Sequence, residues 1–91
     1  MSISSQLFTI INDKGLHARA AARFVEVVER FKSEVTVEKD GLEASGSSIM
    51  GLLMLAASKG TKIKVTSNGE DSEELTSALD NLIKSKFGED S

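Results

Sequence analysis

Glu34-Val35-Thr36-Val37-Glu38-Lys39-Asp40-Gly41-Leu42-Glu43-Ala44-Ser45 is the stretch on which the fold turns. Over residues 34–38 Val35 and Val37 point one way and Glu34, Thr36 and Glu38 the other, the period-two pattern of a half-buried strand. Asp40-Gly41 then predicts a tight hairpin into a second strand over residues 42–45, and a hairpin makes the pair antiparallel. Outward toward the N-terminus the period changes. Ala21, Phe24, Val25 and Val28 recur at helical spacing from Ala18 onward, while Glu26 precedes Arg30 by four residues in the favourable pair orientation. Residues 7–11 read as an earlier strand, ended by the loop Asn12-Asp13-Lys14-Gly15. Toward the C-terminus, Gly46, Ser47 and Ser48 offer caps to an apolar helix over residues 49–55, with Gly60 as its expected closing glycine. Residues 62–67 alternate again, and Asn68-Gly69 is expected to turn the chain. Asp71 with Glu74 predicts a capping box for a last helix striped by Leu75, Ala78, Leu79, Leu82 and Ile83. Residues 89–91 are expected to fray. The order is β-α-β-β-α-β-α, an α+β fold whose antiparallel sheet is packed by helices on one face.

With 91 residues the chain is expected to form a single domain spanning residues 1–91, with no linker or internal repeat. Acidic residues outnumber basic ones, 14 to 11, which argues against a nucleic-acid footprint. The sequence has no Cys and one His, so neither a disulfide nor a structural metal site is expected, and a cytoplasmic setting suits it. Residues 1–10 carry neither a basic n-region nor a long apolar core, and no apolar run approaches a membrane span. Neither a signal peptide nor membrane insertion is therefore expected.

Chemistry concentrates at Gly15-Leu16-His17-Ala18-Arg19, where a loop enters the first helix. The first helical turn leaves backbone N–H groups, those of Ala18 and Arg19 among them, without intrahelical partners at the positive end of the dipole. A phosphate placed there meets ready donors, Arg19 adds a planar fork for phosphoryl oxygens, and Gly15 permits close approach or positive φ. Two bland readings stand beside this one. A lone His at a helix start is ordinarily a polar cap, and Arg19 can be one more solvated charge beside Arg23 and Arg30. No G-x-x-x-x-G-K motif is present to support ATP hydrolysis by the chain itself.

The same segment, with Ala21-Ala22 after it, resembles the G-[LI]-H-A-R-P-A signature of HPr, the histidine-containing phosphocarrier family of the bacterial phosphoenolpyruvate-dependent phosphotransferase system. Ser48-Ile49-Met50-Gly51 resembles that family's regulatory-serine segment, and Ala57-Ser58-Lys59-Gly60 the A-K-G after it. The likeness runs from about residue 7 to residue 85. It implies an open-faced β-sandwich of four antiparallel strands and three helices, with His17 carrying a phosphoryl group on Nδ1 and Arg19 stabilising it. It also implies enzyme I as donor, IIA domains as acceptors, sugar uptake as the process served, no cofactor, and a monomer. Ile49, Met50 and Leu53 match positions where the family docks partners, whereas Leu52 and Leu55 are expected in the core. A serine kinase and phosphorylase acting on Ser48 would be further partners.

Two positions depart from the pattern. Ala20 replaces the family's Pro, which restores an N–H in the first turn and removes some restriction of the unfolded chain. Ser47 stands where many members carry a basic residue, which counts against recognition of Ser48 by the dedicated kinase. Two other functions share these residues: a carrier of the nitrogen-related branch, and an HPr-like binding module that never turns over phosphate. His17 with Arg19 speaks against the second.

Overall fold

A computed structural model describes residues 2–91; Met1, part of the opening stretch read above for a leader and of the expected domain, lies outside them. The elements follow in the order β1 (Ser2–Thr9), α1 (Ala18–Glu29), β2 (Glu34–Lys39), β3 (Leu42–Ser45), α2 (Ile49–Met54), β4 (Lys62–Gly69) and α3 (Ser72–Lys84). A short 3₁₀ turn, Lys86–Gly88, ends the ordered elements.

All strand pairs are antiparallel and the sheet order is β1-β4-β2-β3. The Asp40-Gly41 hairpin joins β2 to β3, with Lys39 opposite Leu42. β1 and β2 run the same way with α1 as their crossover, and β4 fills the slot between them. Alternation along β4 sends Ile63, Val65 and Ser67 inward and Lys62 and Lys64 outward, where Lys64 faces Glu38 across the ladder as an opposite-charge pair. The helices cover the inward face. Phe24, Leu52, Ile63, Val65, Leu75 and Leu79 meet there with no exposed surface, and full burial of each such side chain stabilises the fold by about 1.5–3 kcal/mol. No helix among the described residues is long and apolar enough to cross a membrane.

Several boundaries differ from those the residues suggest. β1 runs from Ser2 to Thr9 and not over residues 7–11: backbone pairing from Ser2↔Gly69 to Thr9↔Lys62 recruits a mostly polar start, and Ile10 and Ile11 lie beyond the last paired residue. Asn68-Gly69 is consequently the end of β4 and not a turn. α2 stops at Met54, where Ala56 takes a left-handed φ of 52°, and Gly60 belongs to the later turn that binds Ile10 O. Asp71 does open α3, but its carboxylate makes no capping bond. It accepts instead from Lys32 N, Ser33 N and Ser33 Oγ, tying the α1–β2 loop to the start of α3. These bonds, the Ser33 hydroxyl first, hold the Asp71 carboxyl below its ordinary pKa. The end of the chain does not fray at Glu89. Phe87 is fully buried, and Glu89 N donates to Lys86 O at 3.0 Å.

Candidate functional site

The loop between β1 and α1 is held from several sides. Leu16 N donates to Ala57 O at 2.8 Å, Gly60 N to Ile10 O at 2.7 Å, and the Asn12 side-chain amide to Gly15 O at 2.9 Å. Gly15 sits at φ +66°, and a Cβ there would lie 2.5 Å from Ala57 O and 2.8 Å from Ser58 Cα. Only glycine satisfies both the backbone angle and the approach. Leu16 is buried beside it and pins the entry to α1.

His17 follows as the N-cap of α1, extended at φ −81° and ψ −177°, and its ring makes no capping bond to the helix. The first helical hydrogen bond of the turn is Ala21 N to His17 O at 2.8 Å, so the amides of Ala18 and Arg19 precede the intrahelical ladder. The ring is 26% exposed, and its Nε2 lies 2.5 Å from Glu89 Oε2. The other oxygen of Glu89 accepts from Asn12 Nδ2 at 2.8 Å. Asn12 is fully buried, and its Oδ1 has no hydrogen-bond partner among the described residues. An orphaned buried acceptor costs on the order of 1–3 kcal/mol. Burial raises the Glu89 carboxyl, but hydrogen bonds from Asn12 and His17 and the nearby Lys14 charge outweigh it. The net pKa is lowered and the carboxylate is ionised at neutral pH.

Arg19 is exposed and lines a cleft of about 290 Å³ with Lys14, Arg23 and the backbone end at Gly88 and Glu89. Asp90 and Ser91 complete that cleft, so its three cations face acidic groups of the chain end. The His17 ring itself borders a smaller cleft walled by Lys14, Leu16, Ala56 and Ala57. Ala20 is buried in the first turn of α1.

The remaining residues singled out above lie on α2. Ser48 caps it, its hydroxyl accepting from Gly51 N at 3.0 Å. Leu52 and Leu55 are buried, Leu53 is half-buried against the core, and Ile49, Met50 and Met54 are exposed, the last two by 70% and 76%. The chain leaving α2 runs through Ala56 and Ala57 into the wall beside His17, so the apolar face and the His cleft adjoin. A surface groove of about 750 Å³ among Phe31, Val35, Glu43 and Ser47 shares no residue with either.

Glu89 and Asn12 escaped the sequence reading. A carboxylate near a chain end has no spacing that marks it. The usable signal was Phe87-Gly88, a large apolar residue past the α3 stripe followed by a glycine able to redirect the chain.

Comparison with known proteins identifies the family. A family model described as "PTS HPr component phosphorylation site" matches residues 4–85. The phosphocarrier protein HPr of Neisseria meningitidis serogroup A is 50% identical over 84 residues, covering 92% of this chain and 94% of that one. The crystal structure of HPr-C-His from Thermoanaerobacter tengcongensis superposes with a TM-score of 0.92 at 43% identity, covering 97% of this chain and 99% of that chain. That of the phosphocarrier protein HPr from Bacillus anthracis does so at 0.86 and 35%, covering 91% and 99%. With the sheet order, the helix-start histidine and these likenesses in agreement, the chain belongs to the HPr family, the phosphocarriers of the phosphotransferase system's sugar relay.

Proposed function

We propose that this chain is a single carrier domain that accepts a phosphoryl group from phospho-enzyme I on His17 Nδ1 and passes it to a IIA domain. The observation that carries this reading is the uncapped start of α1, where a partly exposed imidazole stands beside first-turn amides that no side chain occupies. In the transfer the Nδ1 lone pair forms the N–P bond while the donor's bond to phosphorus breaks and its electron pair leaves with the donor. The amides of Ala18 and Arg19 receive phosphoryl oxygens, and the Arg19 guanidinium, free to swing in from its exposed cleft, adds charge. Such transfers run on positioning and electrostatics, with the donor enzyme completing the site.

Ile49 and Met50, with half-buried Leu53, supply the apolar docking patch next to this site. Methionine's flexible, polarisable side chain suits a surface that meets both donor and acceptor. Phosphate on Ser48, delivered by a serine kinase, would set a dianion against that patch and weaken docking. The carrier works as a monomer in the cytoplasm, where phosphoenolpyruvate is the source of the phosphoryl group. Incubation with phosphoenolpyruvate and enzyme I, followed by mass spectrometry before and after mild acid, tests the acceptor. Wild type gains one acid-labile phosphate and His17→Ala gains none. An unlabelled wild type, or a phosphate that survives His17→Ala, overturns the reading.

A further inference from the structure

We infer that Glu89, held by Asn12, is a positioning residue that fixes the tautomer of His17 and leaves Nδ1 as the open nucleophile. The inference rests on the reading of His17 as acceptor and names what prepares its ring. An ionised carboxylate only accepts hydrogen bonds, so the 2.5 Å contact between Glu89 Oε2 and His17 Nε2 requires the proton on Nε2. In the neutral ring Nδ1 then holds a free lone pair. When the N–P bond forms, positive charge spreads over the ring, the Nε2 proton stays in place, and the Glu89 carboxylate faces that charge at hydrogen-bond distance.

Glu89 is built into position. Phe87, fully buried, anchors the segment, and Lys86, Phe87 and Gly88 all take left-handed φ values of 57°, 57° and 79°. Two of these are non-glycine residues in a conformation that costs energy, held by packing. Gly88, at φ +79°, takes a backbone angle that suits glycine, and it passes beside the Arg23 guanidinium of α1. Asn12 then sets which oxygen does what. Its Nδ2 donates both to Gly15 O at 2.9 Å and to Glu89 Oε1 at 2.8 Å. Reversing that amide would turn its oxygen onto a carbonyl, so Asn12 is committed as a donor.

That commitment makes the test sharp. In Glu89→Gln, Asn12 demands the new amide's oxygen, which leaves the NH₂ against His17 Nε2. Nε2 must then accept, and the ring proton moves to Nδ1, blocking the nucleophile. Glu89→Ala frees the ring to sample both tautomers. Nitrogen-15 NMR of the unphosphorylated protein at neutral pH therefore reads Nε2–H in wild type, a mixture in Glu89→Ala, and Nδ1–H in Glu89→Gln. With phospho-enzyme I the kcat for transfer falls in that order, Glu89→Gln by ~10–100-fold and Glu89→Ala by less, with KM little changed. A tail that merely docks predicts the opposite, since Gln keeps the hydrogen bonds that Ala loses. Equal tautomers in the three proteins, or a Gln variant as fast as the Ala variant or faster, overturns the inference. The NMR arm needs no phosphate, so failure of wild type to be labelled would instead remove the acceptor reading and leave the tautomer result intact.

Discussion

At the start of α2 Ser48 spends its hydroxyl on the Gly51 amide at 3.0 Å, whereas at the start of α1 His17 spends nothing on the helix it opens. The α2 start is held from within and the α1 start from without. Around α1 the constraints come from Ala57 O on Leu16 N, from Asn12 on Gly15 O and from Glu89 on the ring. A helix that caps itself consumes a donor, but one clamped by distant parts of the chain keeps its first-turn amides available. The acceptor site thus depends on the rest of the fold in a way that the α2 start does not. The apolar faces follow the same division: α1 buries Phe24, Val25, Val27 and Val28, whereas α2 buries Leu52 and leaves Met50 and Met54 outside.

The outside clamp breaks most readily at Gly15. Gly15→Ala forces a Cβ onto Ala57 O and a strained φ, which we expect to cost about 2–4 kcal/mol in a denaturant melt and to depress labelling of His17. A change under 1 kcal/mol would mean that the α1 entry is not clamped there. The inside cap is worth less. Ser48→Ala should lower the unfolding free energy by about 1 kcal/mol without shifting the loop around His17, as chemical shifts of residues 12–17 would report. Loss of their native shifts would show that the two helix starts are not independent.

The gentlest perturbation is acid. Because the Glu89 carboxyl is held below its ordinary range in the folded protein, the stabilisation from its docking is complete above the unfolded glutamate value. It is lost only as pH falls through the lower folded value. The Glu89 carboxyl carbon should therefore titrate below ordinary glutamates in NMR, together with the Asn12 side-chain amide. Titration at the ordinary value, or of Glu89 alone, would unlink the tail from the site. Asp71, whose partners are Ser33 and Lys32, should shift in the same direction while leaving the Asn12 signals unmoved.

Much of this was legible in residues alone. Alternation in residues 34–38 with Asp40-Gly41 after it determined a hairpin. The Ala21-Phe24-Val25-Val28 spacing determined α1, and Gly15-Leu16-His17-Ala18-Arg19 marked the site, because each signal is local and repeats at the period of its own element. Tertiary structure alone decided the rest. The N-terminal half of β1 owes its strand to the β4 ladder, Ala56 and not Gly60 ends α2, and Asp71 serves a distant loop in place of its own helix. Glu89 reaches His17 across 72 residues of chain. Period and capping rules describe neighbours along the backbone, whereas a carboxylate brought to an imidazole by a buried Phe87 depends on how the whole core closes.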